Sequence, residues 1–207
     1  MLGTIHRRSL LISLLLILLC SAPALAGNFL FSKDQVGEIG PQTGRSDLIR
    51  IYGEEAVKDT PISLGEGMYE TGTEVLFADS GDSVEILWQD QGQTAPARLT
   101  LNGRLWRSVH GIAMGSSLQE IEELNGRPFK LAGFGWDYGG TVLSWKSGLL
   151  EQAFGGTANR VIIRLRATGD RDGEDYRQIM GDGGFSSDNK YMQRLNPQVY
   201  QIMVEFN

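Results

Sequence analysis

The chain is poor in the residues that carry most metal and nucleophile chemistry. Its 207 residues include one cysteine, Cys20, and two histidines, His6 and His110. One cysteine closes no disulfide within the chain and builds neither a thiolate zinc site nor an iron–sulfur cluster. Two histidines so far apart in sequence exclude a multi-histidine metal centre. A Ser-His-Asp arrangement would have to use His110, and no G-x-S-x-G elbow is present. There is no P-loop. Gly133-Phe134-Gly135-Trp136-Asp137-Tyr138 starts like a dinucleotide fingerprint, then puts Tyr138 where the third glycine belongs. Basic residues are also in short supply: Lys and Arg number 19 against 25 Asp and Glu, a net charge of −6. That balance argues against nucleic acid as the partner. Three options survive: carboxylate chemistry, carboxylate-bound Ca²⁺ or Mg²⁺, or binding without chemistry. No cofactor and no metal ligand set is expected.

The first 26 residues read as an export signal. His6, Arg7 and Arg8 give a basic start, and Leu10 to Leu19 is apolar throughout except for Ser13. Ala24-Leu25-Ala26 is the small-x-small pattern of a signal peptidase site. The apolar run is shorter than the ~20 residues of a membrane helix. A lipoprotein signal ending at Cys20 would want a small residue before the cysteine, and Leu19 stands there. The expected cut after Ala26 removes Arg7, Arg8, His6 and Cys20 and no acid. The exported chain then carries a net −8, no cysteine and His110 alone. Its location is periplasmic or secreted, with no transmembrane segment after cleavage.

What is abundant is glycine, 27 residues, without a collagen period, alongside 41% hydrophobic residues, enough for a core. The glycines expose a repeat. At an offset of 73 residues, Ile39, Thr43, Leu48, Ile51 and Gly53 fall on Ile112, Ser116, Ile121, Leu124 and Gly126. Gly37 falls one residue before Gly111. In each copy an extended segment carries an inward isoleucine, and Thr43, Ser116 or Ser117 caps a helix start. Ser117 with Glu120 has capping-box spacing. Gly53 and Gly126 end the helices in left-handed caps. Strand-like segments follow, 72–77 with 84–88 and 140–145 with 161–165, in which Val84, Ile86, Trp88 and Val161, Ile163, Leu165 alternate. The expectation is two helix–meander copies, at 36–90 and 110–166.

Between them, Leu99 and Leu101 precede Asn102-Gly103, a two-residue hairpin signal that would set Leu99 opposite Trp106. After Gly169 to Asp175, an acidic turn, residues 187–195 read as a capped helix stopped by Asn196-Pro197. Tyr200, Ile202, Val204 and Phe206 then alternate as a terminal strand expected to pair within the sheet. The fold class is α+β: tandem short-helix and antiparallel-meander repeats on one curved sheet, with a C-terminal helix and strand. The divisions are 1–26, 27–109 and 110–207.

Gly115-Ser116-Ser117 and Asn125-Gly126-Arg127-Pro128 carry a resemblance over 36–166. The tandem modules resemble those of beta-lactamase inhibitory proteins and the outer-membrane assembly lipoprotein module known as SmpA/OmlA. The whole chain is similar to exported proteins of the bacterial envelope. The inhibitor modules carry disulfides and the lipoprotein an acylated cysteine, and this chain departs from both. The resemblance implies a binding scaffold with no catalytic residues to transfer.

Among candidate sites, Phe134, Trp136, Asp137 and Tyr138 form the densest segment, aromatic side chains on a glycine-freed backbone. Such residues dominate recognition surfaces. They equally suit a tight hairpin whose aromatics fill the core. His110 is either a proton-exchanging group or a polar junction residue. Asp170, Asp172, Glu174 and Asp175 cluster in a turn, but Asp175 occupies the place an EF-hand reserves for glycine. Glu74, Asp79, Asp82 and Asp137 could pair as glycosidase carboxylates if the fold brings two within ~5–10 Å. The function expected is non-enzymatic: binding of a protein or other envelope macromolecule. A carboxylate-based glycan hydrolase and a structural envelope subunit are the alternatives.

Overall fold

The structure, a computed structural model, describes residues 28–207. The segment 1–26, read above as an export signal, and Cys20 within it lie outside the described residues. No helix among those described is long and apolar enough to cross a membrane.

The chain is a mixed α+β protein built on antiparallel sheets. The strands are β1 (Leu30–Phe31), β2 (Val57–Gly65), β3 (Met68–Phe77), β4 (Asp82–Trp88), β5 (Pro96–Asn102), β6 (Arg107–Ser108), β7 (Lys130–Ala132), β8 (Val142–Ser144), β9 (Asn159–Arg166), β10 (Gly184–Ser186) and β11 (Gln198–Phe206). The main sheet has six, in the order β2-β3-β4-β5-β11-β9, every pair antiparallel. One cross-strand row reads Val57, Val75, Val84, Leu101, Ile202, Ile163, one residue from each strand. All six are buried. Each such side chain stabilises the sheet by roughly 1.5–3 kcal/mol. Because side chains alternate, the next row faces the other way: Glu74, Glu85, Thr100, Met203, Ile162. The main sheet thus has an apolar face and a largely polar one.

The helices α1 (Arg45–Tyr52), α2 (Leu118–Asn125), α3 (Leu149–Phe154), α4 (Glu174–Arg177) and α5 (Lys190–Leu195) contribute Leu48, Leu118, Ile121, Leu150, Phe154, Tyr176 and Met192 to one continuous core. The expected box on α2 is present: Glu120 N donates to Ser117 Oγ, and Ser117 N donates to Glu120 Oε2 at 2.7 Å. Gly126 closes α2 in the left-handed region. On α1 the cap differs. Gly44, not Thr43, is the N-cap, and its N–H donates to Asp47. Thr43 Oγ1 accepts from Gly40 N instead. Gly53 ends α1 with positive φ and extended ψ, outside the left-handed helical region. Asn189 caps α5, Asn196 ends it, and β11 follows, paired on both sides.

Three expectations are corrected. The strands divide into three sheets, not one: β10-β7-β8 and the parallel pair β1-β6 stand beside the main six. The second meander does not form. Segments 140–145 and 161–165 are paired only at the Thr141–Arg164 bridge; α3 stands between them in the chain and carries Leu150 and Phe154 into the core. Asn125 holds the start of α3, accepting from Leu150 N and donating to the Trp145 carbonyl at 3.0 Å. The Asn102-Gly103 hairpin does not form either. Asp82, buried at the start of the internal strand β4, accepts from Leu105 N at 2.9 Å and turns the chain out of β5. Gly103, at φ +107°, passes so close to that carboxylate that a Cβ would overlap it. The segments divided at Val109 and His110 meet in one sheet, along the β5–β11 ladder.

Candidate functional site

The polar face of the main sheet is partly roofed. The β2–β3 hairpin runs on past Thr73, where the pairing of β3 with β4 ends, and its tip, Ile62 to Gly67, shares a cavity with Glu85, Arg98, Thr100 and Arg164 of the face. Arg98 Nη2, from β5, donates to the Ser63 carbonyl at 2.9 Å and holds it there. Opposite the tip is the glycine-rich loop 133–140. Its exit is pinned where Leu165 N donates to the Gly140 carbonyl at 2.9 Å. Gly140 has φ +73°, and a Cβ there would overlap the Leu165 carbonyl oxygen, so only glycine fits. The Tyr138 hydroxyl reaches the hairpin: a Cβ on Gly65 would sit 3.7 Å from it.

Between tip, loop and sheet is a cleft of about 530 Å³. Its charged lining is Glu66, Glu85, Arg98, Asp137 and Arg164. Thr100, Tyr138 and Gln201 add hydroxyl and amide groups. Arg164 Nη1 donates to Gln201 Oε1 at 3.1 Å, and its guanidinium lies 5.3 Å from the centre of the Tyr138 ring. Such a contact attracts the guanidinium to the ring face and orients it. A second cavity, about 380 Å³, opens on the other side of Tyr138 between β8 and β9, with Trp136, Leu143 and Trp145 in its wall.

The four loop residues divide. Phe134 is buried, packed at 6.0 Å from Tyr176, and belongs to the core. Trp136 and Tyr138 are 40% and 46% exposed, edge to face at 5.5 Å. The Trp136 indole N–H donates to the Gly133 carbonyl at 2.9 Å, so the exposed ring is held in place. Asp137 is exposed on the cleft rim. Leu64, Met68 and Tyr69, on the facing hairpin, are also exposed.

The other candidates lie elsewhere. Of Glu74, Asp79, Asp82 and Asp137, only Asp137 lines the cleft; Asp82 is occupied by Leu105 N, and Asp79 sits in the β3–β4 turn. These four do not converge as a catalytic set. His110 is exposed at a turn, with its ring against Phe154 at 5.9 Å. In the acidic loop, Asp170 accepts from Asp172 N, and Asp175 is paired with Arg194. That guanidinium's hydrogen bond holds the Asp175 carboxyl below the usual range. Among the described residues, no group of three or more His, Cys, Asp or Glu is arranged to hold a metal ion.

Sequence reasoning missed Glu66, Glu85, Arg98 and Arg164. Strand alternation marks Glu85, Arg98 and Arg164 as outward-facing. Nothing in the alternation says that their strands meet, or that a hairpin covers them.

Fold and site together define an α+β protein with a polar cleft that Tyr138 lines and the exposed Trp136 adjoins. No protein-family model, no curated protein and no solved structure matches the chain.

Proposed function

We propose that this is an exported, non-enzymatic binding protein of the bacterial envelope, periplasmic or secreted, that captures its partner in the cleft between the hairpin tip and loop 133–140. The observation that carries this reading is the exposed rim. Trp136 and Tyr138 present aromatic surface beside a preformed polar cleft, and Trp136 is fixed by its own hydrogen bond. Rigid, exposed aromatics beside convergent polar groups suit recognition. The likeness to inhibitory-protein and assembly-lipoprotein modules supports the same reading. In it, 36–90 and 110–166 are two versions of one module, the second having given its early strands to the side sheet.

The test is capture from envelope extract on the immobilised protein. The wild type retains a component that the folded Trp136→Ala, Tyr138→Ala double variant releases. Equal retention by both overturns the assignment of the cleft. A carboxylate-based glycan hydrolase is the second reading, favoured by Glu66, Glu85 and Asp137 sharing one cavity. Glycan turnover that stops in Glu85→Gln would install it. A structural subunit would instead elute as an oligomer in size-exclusion chromatography.

A further inference from the structure

The cleft arginines have unmet hydrogen-bonding capacity. Among the described residues, the buried side-chain nitrogen and oxygen atoms without a partner are Arg98 Nε and Arg164 Nε. Buried donors are nearly always paired, so an unpaired one calls for an explanation. Here both belong to one cavity. Each guanidinium donates a single side-chain bond, to Ser63 O and to Gln201 Oε1 respectively. Neither is in an ion pair among the described residues, and neither are Glu66, Glu85 and Asp137 beside them.

Cations and anions that share a cavity without pairing suit a ligand that offers acceptors to the first and donors to the second. A bare inorganic anion answers the arginines but is repelled by three carboxylates. An ammonium compound meets the reverse problem. A sugar bearing a carboxylate answers both, through its acid group and its hydroxyls. Size agrees. Arg98 is level with Glu205 of β11 and Arg164 with Gln201. Four residues of strand separate those levels by about 13 Å, the span of more than one sugar ring, and the cavity of about 530 Å³ has room for it.

We propose that the cleft binds a carboxylated saccharide, its acid groups held by Arg98 and Arg164 and its hydroxyls by Glu85 and Asp137. This deepens the binding reading above and rests on it. The guanidinium fork takes a carboxylate through two parallel N–H donors, and the terminal nitrogens are the ones placed to reach a ligand in the cleft.

The test is titration of the purified protein, by calorimetry or ligand-detected NMR, with digalacturonate and with N-acetylmuramate. Galactobiose, N-acetylglucosamine and inorganic phosphate are the controls. One or both acidic sugars bind, and neutral sugars and phosphate bind at least about tenfold more weakly. The tighter of the two acidic sugars tells whether the acid belongs on the ring or on a lactyl ether. Arg164→Lys keeps the charge, loses the fork and weakens binding about tenfold. Arg98→Gln removes both the charge and the fork and weakens binding at least as much; where loss of its Ser63 bond unfolds the hairpin, Arg164→Lys carries the test alone. Equal binding of neutral and acidic sugars, tighter binding of phosphate, or no saccharide binding by the wild type overturns the proposal. If envelope capture still depends on Trp136 and Tyr138 in that event, only the saccharide assignment has failed. If capture is indifferent to them, the binding reading has failed as well.

Discussion

Phe134 and Trp136 are two residues apart and do different work. Phe134 is 4% exposed and packs on Tyr176, so Phe134→Ala leaves a cavity and costs about 3–5 kcal/mol in urea unfolding. Trp136, 40% exposed, loses far less stability on the same truncation, while envelope capture falls. Asp82 is the residue whose structural role is least visible in its type. Its carboxylate is buried and accepts from Leu105 N. Asp82→Ala strands that donor and costs about 1–3 kcal/mol. Asp82→Asn keeps a carbonyl acceptor and costs less. Chemical denaturation of the two variants checks the order.

Among the elements, α4 and α5 are short and are tied by Asp175 and Arg194, with Arg194 Nε donating to Asp175 Oδ2 at 2.7 Å. The hydrogen bond from Arg194 lowers the folded Asp175 pKa, so the carboxylate favours the folded state above its unfolded pKa. That contribution is lost as pH falls through the lowered folded value. Asp175→Asn therefore melts below wild type at neutral pH, and the gap closes at pH values under about 4. Thermal scans across that range check it. Because the pair lies at the surface, the gap is small. At this scale α2 follows its local code, since Ser117, Glu120 and Gly126 satisfy orphan groups within a few residues. The helix α3 has no such code in its own six residues. Its first turn is held by Asn125, 25 positions before Leu150, so local pattern left it unseen.

For the molecule as a whole, β11 decides cohesion. It lies between β5 and β9 and joins the first four strands to the last. Ile202, Val204 and Phe206 are buried on it. A chain ending at Asn196 loses that seam, and the expected outcome is loss of cooperative unfolding, followed by circular dichroism and the dispersion of amide NMR signals. The same seam makes the cleft, because Arg98 and Arg164 flank β11 and the hairpin tip and loop 133–140 close over it.

Alternation and capping chemistry, both local, were legible in the sequence. They set α2, α5, the strand-like segments 72–77 and 84–88, and the apolar terminal strand. Loop 133–140 was also visible as a dense aromatic and glycine segment, though not the division that sends Phe134 inward and leaves Trp136 and Tyr138 outside. Tertiary structure decided the rest. An Asn-Gly pair became a chain exit because Asp82, distant in sequence, took the Leu105 N–H. Strands read as a second meander went to different sheets, and the chain between them folded as α3, with Leu150 and Phe154 buried in the core. The cleft belongs to this second kind. Its residues come from four strands, a hairpin tip and a loop, and sequence periodicity tells which way each points but not which strands lie side by side.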